Sequence, residues 1–381
     1  MELSKSFHGM TKLGVDLDYM VATLTDLLAI PSPAGYTDEA VRYTADRLEK
    51  LGIPFELTRR GAIRADLEGV RHSPDRAVVA HLDTLGAMVK EIKPDGRLRI
   101  VPVGTWSSRF AEGARVTVLS ERNWVRGAIL PIKASGHTYG KEIDELPISW
   151  ENVEVRVDER ILNAGDAAAL GIQVGDFIAI DPQPEFTQSG FIASRHLDDK
   201  VGVACVLGAA KAMLDAGVTP PVDCHLLFTI SEEVGSGASG VLHGDVAELI
   251  AIDNATQAKG QSSREYGVTI PLMDSSGPFD FHLTRKLLHI AEQFGIEHQR
   301  DVFQYYRTDA AAAVEAGNDI RVALVCFGLD ASHGYERTHV HTIQSVAELI
   351  ALYMQSPPIA ERDEHALAPI EDFPDSQGEG D

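Results

Sequence analysis

The sequence has little cysteine, little positive charge and no long apolar run, and each shortage excludes a class of protein. Cys205, Cys224 and Cys326 lie singly inside apolar segments, so we expect neither a disulfide framework nor a cysteine-based zinc site. No apolar run reaches the roughly 18 residues that a membrane-spanning helix needs. Lys and Arg number 34 against 57 Asp and Glu, and the net charge of −23 at pH 7 disfavours nucleic acid and anionic membranes as partners.

Both ends of the sequence are polar. Residues 1–6 lack the basic and apolar blocks of a secretory signal, and together with the unpaired cysteines this predicts a cytoplasmic protein. Residues 357–381 carry an excess of acids, several prolines and few large apolar side chains. We therefore expect an acidic, disordered tail.

The pattern of apolar residues predicts an α/β protein with a smaller domain inserted in it. Residues 1–91 and 188–356 alternate between segments of helical and of strand periodicity. Between them, residues 92–187 consist mostly of short β-like runs separated by Gly, Asp and Asn turns. A chain of 381 residues can form one large domain and a small one. We therefore expect a large α/β domain in two parts and an inserted β-rich domain.

Polar residues that can bind metals follow several of the predicted core strands, and the ends of such strands are where active sites form in open α/β sheets. The segments are His81-Leu82-Asp83, His196-Leu197-Asp198-Asp199, Ser231-Glu232-Glu233, Ile252-Asp253-Asn254 and His339-Val340-His341-Thr342. Each segment is common by chance, but their joint order around a Glu-Glu pair predicts a site for two divalent ions. Two histidines and three carboxylates suit Zn²⁺ or Co²⁺, with one carboxylate bridging.

The order His, Asp-Asp, Glu-Glu, Asp, His resembles that of the co-catalytic metallopeptidases. Within that group the sequence is most similar to metallopeptidase family 42, the glutamyl, deblocking or tetrahedral aminopeptidases. The long interval from His81 to Asp198 leaves room for the inserted domain and separates this family from its relatives. The resemblance extends to residues 171–176, 276–278 and 308–311. It implies a mixed-sheet, zinc-peptidase-like catalytic domain with an inserted, small, β-rich dimerisation domain.

The family pattern implies a metal-binding role for five matched residues. Asp198 would bridge two ions. His81 and Asp253 would complete the site of one ion, and Glu233 and His341 the site of the other. Two divalent ions per subunit are implied, Zn²⁺ in the first place and Co²⁺ or Mn²⁺ as alternatives.

Two further acids have catalytic roles in the family pattern. Glu232 would be the general base that activates a metal-bridging water. Asp83 would orient His81 through the second nitrogen of its ring.

The last metal ligand is one of two neighbouring histidines. The family has His followed by Ser or Thr at this point, which fits His341 and Thr342 and leaves His339 as a pocket-lining alternative. His196 and His333 have no role in the pattern, and we expect them to be ordinary surface or loop residues.

The resemblance implies a cytoplasmic aminopeptidase that hydrolyses N-terminal residues of small peptides and forms dimers that assemble into a tetrahedral dodecamer. Departures from the family pattern at Thr84, Lys200, 236–237 and 335–338 flank the ligands. They resemble a bacterial branch associated with the osmoprotectant N-acetylglutaminylglutamine amide. A second hypothesis is therefore an amidohydrolase for such a small acylated dipeptide. A third, from another class, is a non-catalytic binding or assembly module, which the complete set of ligands disfavours.

Overall fold

The computed structural model describes residues 7, 9–359, 363, 365–370 and 373, and its centre is an eight-stranded mixed sheet. In spatial order the strands are β1 (Phe55–Leu57), β2 (Ile63–Leu67), β12 (Val222–Thr229), β3 (Arg71–His81), β13 (Val246–Thr256), β18 (Arg321–Leu329), β14 (Val268–Pro271) and β17 (His298–Asp301). The four central strands β12, β3, β13 and β18 are parallel, whereas β2 and β14 pair with them in the antiparallel sense. The predicted α/β class with a mixed sheet is confirmed.

The central strands consist of continuous apolar runs. Ala77, Val78, Val79 and Ala80 of β3 are all buried, so both faces of this strand are covered. Such a run is typical of parallel strands between layers of helices. His81 directly follows this run at the end of β3, so the run places a polar side chain at the edge of the sheet.

Helices cover this sheet. They are α1 (Leu17–Ala29), α2 (Asp38–Leu51), α6 (Leu197–Asp215), α7 (Phe281–Gln293), α8 (Asp309–Glu315) and α9 (Val340–Gln355). Helix α6 is buried along most of its length and packs against α1 and α9. A Cβ atom at Gly208 of α6 would lie 2.4 Å from the sulfur of Met20 in α1, so glycine permits the close approach of these two helices.

The segment between β3 and α6 contains a closed six-stranded barrel. Around the barrel the strands are β4 (Gly86–Ile92), β5 (Leu98–Val103), β8 (Val153–Val157), β7 (Trp124–Pro131), β6 (Arg115–Leu119) and β9 (Phe177–Ile180). Short helices α3 (Ser108–Ala111), α4 (Gly136–Tyr139) and α5 (Ala164–Ala169) lie between them. Val89, Ile100 and Val118 belong to an apolar core that is separate from that of the main sheet. The barrel is thus packed around its own interior.

Two smaller sheets complete the described part of the fold. Strands β10 (Glu185–Phe186), β11 (Phe191–Ser194) and β19 (Glu336–His339) form one, and β15 (Met273–Asp274) and β16 (Gly277–Pro278) form the other. Ser194 of β11 pairs with Glu336 of β19. This pairing brings the segment before α6 next to the loop that follows β18.

Only part of the predicted acidic tail lies among the described residues. Asp363 forms an ion pair with Arg321 at 2.8 Å, and the N–H of Ile359 donates to Glu248 at 2.7 Å. The predicted disorder of positions 360–362, 364, 371–372 and 374–381 concerns residues outside the described part. Among the described helices, none is both long enough and apolar enough to span a bilayer.

Candidate metal centre

Side chains with metal-binding atoms converge at the carboxyl edge of the four parallel strands. They are His81 at the end of β3, Glu232 and Glu233 shortly after β12, Asp253 in β13, His333 shortly after β18 and Asp198 at the start of α6. Because parallel strands end at the same edge of a sheet, residues that are far apart in the sequence meet there.

Asp198 is shared by two groups of potential metal ligands. The first group is His81, Asp198 and Asp253, and the second is Asp198, Glu233 and His333; in each group the donor atoms lie within 4.8 Å of one another. The Nε2 atom of His81 is 3.2 Å from Oδ1 of Asp198, and the Nε2 atom of His333 is 3.4 Å from Oδ2. Each histidine therefore faces a different oxygen of one carboxylate.

The donor atoms of both groups are suitable for divalent ions. The Oδ1 atom of Asp198 is buried and has no hydrogen-bond partner among the described residues. Buried polar atoms are normally satisfied, so an uncompensated oxygen between potential ligands is compatible with a bound cation. Imidazole nitrogens together with carboxylate oxygens are a ligand set that Zn²⁺, Co²⁺ and Mn²⁺ accept.

The carboxylates of the centre are buried close together, which makes their negative charges costly. Burial raises the pKa of Asp253 well above its usual value, and the charge of Asp198 raises it further. Burial also raises the pKa of Glu233 to about 8. Burial would also raise the pKa of Asp198. Contacts with His333 and His81 outweigh burial, so the pKa of Asp198 is lowered. Bound cations would offset this excess of negative charge.

Both histidines are oriented by a backbone carbonyl group. The Nδ1–H of His81 donates to the carbonyl oxygen of Asp83 at 2.9 Å, and the Nδ1–H of His333 donates to that of Thr105 at 2.9 Å. A proton fixed on Nδ1 leaves the lone pair of Nε2 free for a metal. Thr105 follows β5, so the barrel orients one of the two candidate histidines.

The carboxylate of Asp83 positions the Glu-Glu pair. Its Oδ1 accepts the backbone N–H of Glu232 at 3.1 Å, and its Oδ2 accepts that of Glu233 at 3.2 Å. The sequence predicted that Asp83 orients His81. In the structure, His81 donates to the backbone carbonyl oxygen of Asp83, and the nearest carboxylate oxygen of Asp83 is 3.7 Å from Nδ1 of His81. The Oε2 atom of Glu232 lies 3.8 Å from Nε2 of His81, which places this acid beside the candidate ligands.

Two neighbours hold Asp198 and His333 in place. Glu336 accepts the N–H groups of Leu197 at 2.8 Å and of Asp198 at 3.3 Å with one oxygen, and that of His333 at 2.9 Å with the other. The Nδ2 atom of Asn254 donates to Oδ2 of Asp198 at 2.8 Å. Glu336 thereby connects the start of α6 with the loop after β18.

Asp309 supports the loop that carries the Glu-Glu pair. Its Oδ2 accepts the hydroxyl of Thr229 at 2.6 Å, and its Oδ1 accepts the N–H of Ala238 at 2.7 Å. A Cβ atom at Gly237 would lie 1.9 Å from Oδ1 of Asp309. Glycine at position 237 therefore allows the loop to close over this carboxylate.

The prediction that His341 is the fifth ligand is not supported by the geometry, because its side chain lies outside both ligand groups. That side chain is 44% exposed, and its Nδ1 accepts the N–H of Gly267 at 3.1 Å. His339 accepts the N–H of His341 and donates to the carbonyl oxygen of Ser189. The structure instead places His333 beside Asp198 and Glu233, although we expected a surface or loop residue. Its position just after a core strand was the available signal.

A small pocket opens beside the centre. Besides the ligands themselves it is lined by Leu85, Trp106, Ile180, Arg195 and Glu336. Trp106 and Ile180 come from the segment that forms the barrel, so the barrel contributes to the wall of the pocket. His196 also borders it, but burial and the charge of Lys200 lower the pKa of this histidine to about 3. Its Nε2–H donates to Ile180.

Comparisons with known proteins agree with this fold and identify the family. A family model described as M42 glutamyl aminopeptidase matches residues 61–349. YhfE of Bacillus subtilis (strain 168), named as a candidate aminopeptidase, is 38% identical over 336 residues, or 88% of this chain and 96% of that protein. The lysyl aminopeptidase of Pyrococcus furiosus is 25% identical over 284 residues, which cover 72% of this chain and 77% of that one.

Among solved structures, the TET1 peptidase of Pyrococcus horikoshii has a similar fold. The TM-score is 0.77, the sequence identity is 24%, and the match covers 88% of this chain and 99% of that chain. That peptidase can assemble into a tetrahedron or a large octahedral shell.

Proposed function

Because this chain belongs to the M42 glutamyl aminopeptidase family and is a peptide hydrolase, we propose that it is a dinuclear-metal aminopeptidase acting on small peptides. The observation that carries the proposal is the position of the Asp198 carboxylate between His81 and His333. A carboxylate with one histidine facing each oxygen is suited to bridge two ions. His81 and Asp253 would complete the site of one ion, and Glu233 and His333 that of the other.

The chemistry of hydrolysis needs a base next to these ligands. When bound, two divalent ions would lower the pKa of a water molecule and polarise the carbonyl of the scissile peptide bond. Glu232 lies 3.8 Å from Nε2 of His81 and is held by the Asp83 carboxylate through its backbone N–H. We assign it as the general base, which takes a proton from the attacking water and gives it to the departing amine.

The names of the relatives favour a substrate with a free amino terminus. Aminopeptidases act on free amino termini, and the family model and both curated relatives carry that name. This supports the removal of N-terminal residues over the hydrolysis of an N-acylated dipeptide. The side-chain preference is left open by the relatives, since the family is described as glutamyl and one relative as lysyl.

Self-association and a cytoplasmic location are further parts of the proposal. The barrel exposes Phe110 and Trp124, which are 39% and 51% accessible, and such apolar side chains are suited to an interface. We propose that the barrel mediates a dimer and that dimers build a larger, tetrahedral shell. Cys205, Cys224 and Cys326 are free and buried, which suits a reducing compartment.

A substrate screen tests the proposed activity. Purified protein is depleted of metal, reloaded with Zn²⁺, Co²⁺ or Mn²⁺, and assayed on matched pairs of dipeptide amides with free and with acetylated amino termini. We expect hydrolysis of the free dipeptide amides only, which disappears on depletion and returns on reloading. Preferential hydrolysis of the acetylated members would support the osmoprotectant hypothesis instead. Stoichiometric metal without turnover of any peptide would favour a binding module.

A further inference from the structure

A second group of metal-binding side chains lies on the main sheet, away from the candidate metal centre. Asp66 of β2 and His225 of β12 are direct partners across the antiparallel strands, and His243 stands in the loop before β13. One donor atom from each of the three lies within 4.8 Å of the others. His225 is about 13 Å from Thr229 along β12, and the Glu-Glu pair follows beyond Thr229. The two groups are therefore separate.

The carboxylate of Asp66 lies between the two imidazole rings. Its Oδ1 atom is 2.6 Å from Nδ1 of His225 and 3.2 Å from Nε2 of His243. The rings themselves are near each other, with centroids 4.1 Å apart. His225 is buried, while the side chain of Asp66 is 47% exposed and that of His243 is 25% exposed. The cluster is thus anchored in the sheet and reachable from solvent.

The buried carboxylate of Asp75 contacts the second ring nitrogen of His225. Nε2 of His225 lies 3.2 Å from Oδ2 of Asp75, which also accepts the N–H of Asp245 at 2.8 Å. When a metal displaces the proton that Nδ1 shares with Asp66, a proton held on Nε2 by Asp75 leaves the lone pair of Nδ1 free for the ion. Histidines that bind metals commonly have their second nitrogen bonded to a carboxylate in this way.

The loop of His243 fits closely over this carboxylate. Gly244 has a φ of +67°, and a Cβ atom there would lie 2.3 Å from Oδ2 of Asp75 and 3.0 Å from Nε2 of His225. Glycine is therefore required for the loop to place His243 beside Asp66. The cluster is formed by defined contacts of the fold and is not a chance grouping of surface charges.

We propose that Asp66, His225 and His243 form an additional metal site, which binds Zn²⁺ through one carboxylate oxygen and two imidazole nitrogens. Ligand distances near 2.1 Å place the donor atoms of a tetrahedral site about 3.4 Å apart. The contact between His225 and Asp66 must widen for this, which the half-exposed side chain of Asp66 allows. The ion would connect β2, β12 and the loop that leads into β13, so its expected effect is on stability.

Protons compete with the metal for this site. Nδ1 of His225 lies 2.6 Å from Oδ1 of Asp66, so in the metal-free site this nitrogen carries the proton of a hydrogen bond. Nδ1 of His243 is buried without a hydrogen-bond partner in the described part of the chain, so a proton on that nitrogen has no acceptor. Metal binding therefore releases a proton. The zinc affinity should be lower than that of a site in which the second ring nitrogen of each histidine has a hydrogen-bond acceptor.

Zinc titration of the metal-depleted full-length chain tests the proposal. The variants are His243→Ala, Asp66→Asn and Asp75→Asn. His72→Ala is the matched control, because this exposed histidine pairs with Asp223 in the same region of the sheet and lies outside the proposed site. We expect His243→Ala and Asp66→Asn to bind about one Zn²⁺ per chain fewer than the wild type. Asp75→Asn should keep the site with an affinity lowered by about 10–100-fold, and His72→Ala should bind as the wild type does.

The same titration in the Asp198→Ala background separates this site from the candidate metal centre. One equivalent should remain after Asp198→Ala and disappear when His243→Ala is added. Zn²⁺ should raise the unfolding temperature of the single variant but not that of the double variant. Equal zinc binding with and without His243 in both backgrounds would overturn the proposal and leave the cluster as an ion-pair network. That result would not affect the proposed peptidase, which depends on Asp198.

Discussion

His333 and Asp198 lie side by side, with Nε2 of the histidine 3.4 Å from Oδ2 of the carboxylate. His333 lies in the loop after β18, and Asp198 lies at the start of α6. Glu336 accepts backbone N–H groups from both segments, which fixes their separation. This contact leads to the first prediction, because it assigns to His333 the role that the family pattern implied for His341.

Replacing His333 should remove one metal ion, whereas replacing His341 should not. His333→Ala deletes a nitrogen that faces Asp198 and Glu233, so metal content should fall by about one equivalent. Turnover should fall by more than the about 10–100-fold that is typical when a residue hydrogen-bonded to a metal ligand is lost. His341→Ala is the control, since that side chain contacts the backbone of Gly267. Elemental analysis and kcat on both variants provide the measurement; loss of metal in His341→Ala alone would restore the assignment made from the sequence.

Asp198→Ala should lose both ions of the candidate metal centre and the activity together. Without the shared carboxylate, two cations would face each other with no anion between them. Asp215→Ala is a suitable control, because Asp215 lies at the other end of α6 and is exposed. Metal content after dialysis is the measurement. Two tightly held ions in Asp198→Ala would show that Asp198 is not the bridge.

Glu232→Gln and Glu233→Gln should have different effects although the residues are neighbours. Gln at 232 cannot accept a proton, so kcat should fall by about 10²–10⁴-fold while KM and metal content change little. Gln at 233 replaces an anionic ligand by a neutral one, so one metal should bind more weakly. Each variant is the control of the other. Metal loss in Glu232→Gln with retention in Glu233→Gln would reverse the two roles.

Gly237→Ala should disturb the loop that carries these acids. The new Cβ would collide with Asp309, whose carboxylate bonds Thr229 and Ala238. Overpacking of this kind typically costs about 1–3 kcal/mol in the free energy of unfolding, and kcat should fall as well. Gly240→Ala is the matched control, since a Cβ there meets nothing within 4 Å. Denaturant unfolding of both variants measures the difference, and equal stability would contradict the role of Asp309.

Light scattering should give a mass that is a multiple of the 41.3 kDa chain. If the barrel forms the dimer contact, Trp124→Glu should shift the mass downward, because a charge at an apolar interface is costly. Tyr305→Glu is the control, since Tyr305 is 95% exposed on the main domain. A wild-type protein that remains a monomer with metal present would contradict the proposed assembly.

The family and the fold class could be predicted from the sequence, and the comparisons confirm both. Continuous apolar runs such as Ala77–Ala80 identify central strands, and polar residues directly after them identify the edge where a site forms. This reasoning predicted a site at His81, Glu232, Glu233 and Asp253, and the structure places these residues near Asp198.

The position of His333 beside Asp198 was missed because it depends on contacts that are distant in the sequence. Its orientation requires the carbonyl of Thr105 and its loop requires Glu336 bonded to the start of α6. His341 was preferred because Thr342 follows it, as in the family pattern. The Thr342 hydroxyl instead donates to the carbonyl oxygen of Gly267, which is a structural contact.

The backbone N–H of His81 donates to the carboxylate of Asp199, 118 residues further along the chain, and the barrel is formed entirely between them. The ribosome must therefore synthesise the whole barrel segment before the first two candidate ligands can meet, and it must extend the chain beyond His333 before the fifth candidate ligand is available. A nascent or truncated chain thus contains at most fragments of the centre. In this fold, hydrolytic competence is acquired only after almost the whole polypeptide has been synthesised, so an unfinished peptidase poses little danger to the peptides around it.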